Sequence, residues 1–341
     1  MDRQKRITII EIAKMAKVSK ATVSKTLNNK PGVGDDTRER IMEIVDQLDF
    51  QPDSAARALS NQKTSNIGLV IPHEAGRSLN NDYWSAMISA IADEAAAMEY
   101  NLMLFTPREE GALENLYKSI INSNKVDGLI IGSEIIDKDQ MSLLDQTDIP
   151  FILIGQNPDF KHHFVDIDNA YAGKSITEYM INRGYRNIAF ISGPENYYYN
   201  RQRTISFRET MFNHGLHPCN AAADEFNTQS IYSAVDKVLT DCPDLDGLFI
   251  GAGGNFLYDV LERLEQKNIS AASIGVTVFD DYRYLNFMEP KLTAIRQPTS
   301  LLGREAVKSL FRLISSENNS SKNNIFKTTI TERSSCPVIQ R

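Results

Sequence analysis

Within six residues, Lys20, Thr22, Ser24 and Lys25 place two ammonium groups and two hydroxyls beside the small Ala21. Such groups hydrogen-bond phosphate oxygens and base edges, and a methyl side chain lets a helix come close to a large partner. The surrounding stretch is basic. Residues 1–30 hold eight Lys or Arg against Asp2 and Glu11, a local charge of +6 in a 341-residue chain of formal charge −7, so the remainder carries −13. The footprint that matters to a polyanion is this local one. Elsewhere, Gly251-Ala252-Gly253-Gly254 follows a strand-like run and precedes a helical one, a position where backbone amides can bind phosphate. His162 and His163 are adjacent, so in extended chain they point oppositely; with no third ligand evident they read as a surface pair, and no metal site or cofactor is expected.

The elements that must hold the basic cluster are legible from caps and apolar spacing. Thr8-Ile9-Ile10-Glu11 fits a capping box, and Ile9, Ile12, Ala13 and Ala16 recur at helical spacing. Lys17-Val18-Ser19 reads as a tight turn, with Ser19 capping a second helix over about 20–28. After the break at Pro31-Gly32, a third helix is expected to open at Asp35 or Asp36, with a box over Asp36–Glu39, and to run to about Leu48. Two short helices joined by a three-residue turn and braced by a third form a helix-turn-helix unit. Its second helix would present its N-terminal end to a major groove.

From Ser65 onward, apolar runs of strand length alternate with helical stretches. Strands are expected near 67–71, 102–105, 128–131, 151–154, 188–191, 248–250 and 274–278. Helices are expected near 84–98, 113–122, 170–183, 205–214, 231–239 and 256–266. This alternation predicts an α/β core of two parallel sheets flanked by helices, with a ligand crevice at the carboxyl ends of the strands. No apolar run approaches a membrane span, and Met1–Arg6 leads into no secretory h-region. Cys219, Cys242 and Cys336 are scattered, with no CxxC pair. A cytoplasmic location and no disulfide framework are the expectation.

The motifs carry a resemblance that covers nearly the whole chain. Ile10–Ala13, Val18–Lys25, Leu27-Asn28, Thr37–Ile41, Leu48–Pro52 and Ala55–Leu59 together resemble the headpiece of the LacI/GalR family of bacterial transcription regulators. The resemblance continues through Asp166–Asn169, Ala172-Gly173, Arg183–Ala189, Pro290–Ile295 and Gln297-Pro298. It implies a headpiece over residues 1–62, with a hinge helix at about 53–60 that enters the minor groove. There Ala56 keeps the hinge slim, Arg57 lies beside the duplex and Leu59 wedges between base steps. With Thr8, Ser19, Lys20, Ala21, Thr22, Ser24, Lys25 and Asn28, these residues form the expected DNA-binding set. Asp53 stands where the family usually has asparagine.

For the remainder the resemblance implies a core over 63–341 with the two-lobed periplasmic-binding-protein fold. The N-lobe is read as about 63–163 with 293–325, and the C-lobe as about 164–292 with 326–341. Tyr83 and Trp84 match an aromatic pair of the effector pocket, Arg203 the arginine that grips effector oxygens, and Asp280 the acid after the last C-lobe strand. Tyr197, Tyr199 and Phe249 complete the expected set. The implied function is a sequence-specific repressor, not an enzyme. It would act as a homodimer on a palindromic double-stranded operator, with a carbohydrate effector setting its affinity. Ala252-Gly253, Val278 and Ser206 depart from the family pattern in the cleft, and the glycine turn leaves a phosphorylated effector open. A transport binding protein would need a signal sequence and would lack the headpiece. An α/β enzyme would need motifs such as a Walker lysine, GxSxG or HExxH, which do not occur.

Overall fold

The computed structural model describes residues 7–27, 30–48, 50, 63–72, 82–109, 112–132, 137–315 and 323–339. The chain divides into two compact units, Met1–Ser65 and Asn66–Arg341, against a junction at 62/63 in the sequence reading.

In the first unit, α1 (Ile9–Met15), α2 (Lys20–Leu27) and α3 (Asp35–Gln47) enclose Ile12, Ala13, Ala16, Val23, Ile41 and Val45. Burying each large aliphatic side chain is worth about 1.5–3 kcal/mol, which lets so short a unit hold together. At the start of α1 the Glu11 carboxylate accepts the Thr8 backbone N–H at 2.8 Å and the Thr8 hydroxyl at 3.1 Å. Lys17 takes φ +53° in the turn, and Ser19 Oγ then accepts the Thr22 N–H at 3.1 Å, capping α2. Arg38 ties α3 to the end of α2, donating to the Thr26 carbonyl at 3.3 Å and the Lys30 carbonyl at 3.0 Å. The expected box at Asp36 is corrected. Gly34 is the cap residue, and Asp35 and Asp36 lie inside the first turn, where their charge suits the positive end of the helix.

The second unit holds two six-stranded sheets. The first contains β1 (Asn66–Val70), β2 (Asn101–Phe105), β3 (Gly128–Gly132), β4 (Phe151–Ile154), β5 (Phe164–Ile167) and β11 (Asn324–Phe326), all parallel, in the order β11-β5-β4-β3-β1-β2. The second contains β6 (Ile188–Ser192), β7 (Cys219–Ala222), β8 (Gly247–Ile250), β9 (Gly275–Phe279), β10 (Thr293–Arg296) and β12 (Thr329–Thr331), in the order β12-β10-β9-β8-β6-β7, with β12 antiparallel to β10. Strands such as β3, β6, β8 and β9 are buried throughout, as parallel strands covered on both faces must be.

Helices α4 (Asp82–Ala97), α5 (Leu113–Ser123), α6 (Lys138–Asp145) and α11 (Thr299–Ile314) belong to the first lobe; α11 packs on α4 and over β3, β4 and β5. The second lobe carries α7 (Asn169–Asn182), α8 (Tyr198–Asn213), α9 (Thr228–Asp241) and α10 (Asn255–Gln266). Among the described residues no helix is long and apolar enough to cross a membrane.

The lobe boundaries read from the sequence are corrected by the pairing. Phe164–Ile167 pairs with β4 and β11 in the first sheet, and Thr293–Arg296 pairs with β9 and β12 in the second. The chain therefore changes lobe after Ile167, after Arg296 and after Phe326, so the approximate bounds at 163/164 and 292/293 each fall one strand early, while that near 325/326 agrees within a residue. Periodicity marks a strand but not the sheet that receives it.

Candidate DNA interface and ligand cleft

On the headpiece, Lys20, Ala21 and Lys25 are exposed along α2, and Thr8 and Ser19 are exposed at helix starts. Thr22 and Ser24 are half-buried, and the Thr22 hydroxyl lies 2.9 Å from Ser19 Oγ. The opposite face of α2 supplies the buried Val23 and Thr26. Two ammonium groups and a methyl thus stand outward on a rigid helix whose inner face is fixed by packing. This arrangement suits phosphate and base-edge contacts. Asn28, Ala56, Arg57 and Leu59, with the whole stretch 53–60, lie outside the described residues.

In the core, Arg203 is the organising charge. It is 6% exposed on α8. Its Nε donates to Asn169 Oδ1 at 2.9 Å and Nη1 to the Gly251 carbonyl at 3.1 Å. The guanidinium carbon lies 3.3 Å from the Phe279 ring centroid and 4.8 Å from that of Tyr199, a cation held between two aromatic faces. Burial pulls its pKa down, while Asp280, Tyr199, Asp166 and Tyr83 together favour the charged form. The close fit of α8 on α7 depends on Gly173, where a Cβ would fall 2.3 Å from Ser206 Oγ and 2.9 Å from the Arg203 carbonyl.

Asp280 follows β9 with φ +76° and accepts Gln297 Nε2 at 2.5 Å. Burial pushes its carboxyl up, against the pull of Arg203 and hydrogen bonds from Gln297, the Gly253 N–H and the Tyr282 hydroxyl. Asp166 sits at the end of β5 and accepts the N–H groups of Gln156 at 2.8 Å and Ile167 at 2.7 Å. Burial still lifts it to about 6, outweighing those bonds and the nearby Arg203. Tyr197 is buried against Tyr199 and Phe226, with ring centroids 5.6 and 5.5 Å away. Beside them, Ser192 Oγ and Asn200 Oδ1 are buried without a hydrogen-bonding partner among the described residues. Gly193 keeps this corner open, because a Cβ there would meet Phe226 at 2.7 Å and Asn200 Nδ2 at 2.8 Å. Orphaned polar atoms beside aromatic faces are what a small polyhydroxylated ligand can satisfy.

Three expectations are corrected. Phe249 is fully buried and stacked on Phe190 at 4.5 Å, so it belongs to the core beneath the cleft. Trp84 is 3% exposed and forms, with Met87 and Ile91, the inner stripe of α4; the neighbouring Tyr83, half-buried, remains the candidate. The glycine turn is not a ready phosphate cradle. Gly254 N–H already donates to the Tyr284 hydroxyl at 2.8 Å, and Gly253 N–H to the Asp280 carboxylate, beside which a phosphate would be repelled. His162 approaches Asp145 at 3.3 Å and packs on Phe151.

Sequence reasoning did not single out Asn169, Gln297, Phe279, Phe226 or Tyr282. The first two lie in stretches that carried the resemblance, and Phe279 directly precedes Asp280. Tyr282 had no sequence signal: it fills the space over Gly253, where a Cβ would lie 2.6 Å from its ring.

A three-helix DNA-reading unit joined to a two-sheet sugar-receptor core defines a class, the ligand-responsive transcription regulators. Two family descriptions match: "Bacterial regulatory proteins, lacI family" over residues 8–53, and "Periplasmic binding proteins and sugar binding domain of LacI family" over residues 64–339. The chain belongs to the LacI family. It is a DNA-binding transcription regulator and not an enzyme. It is 25% identical to the HTH-type transcriptional regulator CelR of Thermobifida fusca over 340 residues, 98% of this chain and 100% of CelR. Among solved structures it resembles a Lac repressor dimer bound to operator and the anti-inducer ONPF, with TM-score 0.83, 20% identity, and coverage of 98% of this chain and 100% of that one. A CelR–cellobiose complex matches with TM-score 0.73 and 24% identity over 97% of this chain and 100% of that one.

Proposed function

We propose that the protein is a cytoplasmic repressor that binds a palindromic operator as a homodimer and is controlled by a carbohydrate in the interlobe cleft. Each headpiece reads one half-site. Lys20, Ala21 and Lys25 face base edges, while Thr8, Ser19, Thr22, Ser24 and Asn28 hold the backbone. The hinge brings Ala56 and Arg57 to the minor groove and Leu59 between base steps. In the cleft, Arg203 grips ligand hydroxyls with Asp280, and Tyr83, Tyr197 and Tyr199 supply rings. The names of similar proteins, an operator-bound dimer and a cellobiose complex, support this reading.

The observation that carries it is the arginine clamped between Phe279 and Tyr199 beside the orphaned Ser192 and Asn200. Selection from random duplexes should yield a two-fold symmetric site. A melting-temperature screen with cellobiose, maltose, ribose and glucose should show stabilisation by one of them, lost in Arg203→Met. Retained stabilisation in that variant would remove Arg203 from the site; no preferred duplex would remove the operator reading.

A further inference from the structure

Cys219 opens β7, the edge strand of the second sheet, and Cys242 ends α9, which carries the chain from β7 over β6 to β8. A connection between parallel strands must run back across the sheet, so the last turn of α9 lies over the end at which β7 begins. Side chains alternate along a strand. Cys219 and Ala221 accordingly share the face that packs with Ile231, Ala234, Val235 and Val238 of α9, and Cys242 packs against the same cluster. The two thiols are close enough there for each to bear on the other's titration. Cys219 is buried, Cys242 is half-buried, and both are free.

We propose that Cys219 and Cys242 form an oxidisable dithiol, a modification site that a hydroperoxide converts into an intramolecular disulfide fastening the start of β7 to the end of α9. The Cys242 sulfur, the more accessible, attacks one peroxide oxygen. The O–O bond breaks, and a sulfenic acid and one water result. The Cys219 sulfur then attacks the sulfenic sulfur, the S–O bond breaks, and a second water leaves with the remaining thiol proton. Two thiols and one hydrogen peroxide become one disulfide and two waters; the sulfurs give up two electrons and the peroxide oxygens take them. Burial, then Cys242, then Asp241, against Lys237, push the Cys219 thiol up to about 12, and burial raises Cys242 as well. Since the thiolate is the nucleophile, two raised thiols make the oxidation slow, and Cys242, the more accessible, is the one a peroxide meets first. Cys336, wholly buried beside Tyr185, serves as an internal control.

The test uses the full, reduced chain exposed to hydrogen peroxide, trapped with an alkylating agent, digested and analysed unreduced by mass spectrometry. The expected product is a peptide pair joined through Cys219 and Cys242, reversed by dithiothreitol, formed equally in Cys336→Ala and absent in Cys219→Ala and Cys242→Ala. The oxidised wild-type chain should melt above its reduced form, with no such rise in the two single variants. Cys242→Ala lies at a half-buried position, which keeps the comparison sound even if Cys219→Ala folds poorly. Over-oxidation of Cys242 with Cys219 still alkylatable, cross-links between chains, or two untouched thiols would each overturn the proposal.

Discussion

Lys20, Ala21 and Lys25 stand exposed on a helix anchored from behind, whereas Arg203 and Asp280 are enclosed and already bonded to their own chain. A duplex is large, stiff and uniformly charged, so its reader needs outward groups on a rigid face and gives up little stability in presenting them. A small ligand must be surrounded, and the groups that surround it need partners while it is away. Asn169 serves Arg203 and Gln297 serves Asp280, and both amides lie where the chain passes between lobes. A ligand that competes with them therefore disturbs the connections between lobes directly, which ties occupancy to conformation.

The contrast can be broken or sharpened by substitution. The largest effect is expected at Asp281, whose nearly buried carboxylate meets Arg333 at 2.5 Å, Arg296 at 2.7 Å and the Thr331 hydroxyl at 2.7 Å. Asp281→Ala strands the Arg333 charge and should cost about 3–5 kcal/mol in urea unfolding of the core. Ile12→Ala empties the centre of the headpiece and should cost that unit about 2–5 kcal/mol. Operator binding should disappear while stabilisation by the effector sugar persists; loss of both would show that the units are not separable. Lys20→Ala and Lys25→Ala should each relax specificity at one position of the half-site and cost about 1–3 kcal/mol of discrimination there. Their stability should stay within about 0.5 kcal/mol of wild type, and a larger destabilisation would mean that the reading face is also structural.

The smallest effect concerns pH. Asp166 is raised to about 6, so its contribution to stability is complete below the ordinary carboxylate value and is lost as pH rises through about 6. Asp166→Asn should flatten that decline in melting temperature measured across mildly acidic pH. Asp281 has the opposite sign: the bonds from Arg333, Thr331 and Arg296 outweigh burial and lower its carboxyl. Its stabilisation is present above the ordinary value and lost as pH falls through the depressed one.

The sequence was most legible where local chemistry decides structure. The Thr8–Glu11 and Ser19–Thr22 caps were visible because each is a contact between residues three apart. Arg203 and Asp280 were visible only through family resemblance, since nothing near either residue announces its partner. Tyr198–Thr204 belongs to α8, although the sequence opens that helix only near 205, because tyrosines and asparagine are weak helix formers. Trp84 and Phe249 looked like ligand rings because residue type cannot tell an aromatic that lines a cleft from one that underlies it. The meeting of Cys219 with Cys242 was hidden for a related reason: it is made by a helix returning over a sheet, not by spacing.

The chain passes from lobe to lobe three times, so neither lobe is a contiguous stretch of the gene. β11 and β12 follow one another near the end of the sequence, yet each is the border strand of a different sheet. A stop codon ahead of Asn324 would therefore strip both lobes at once.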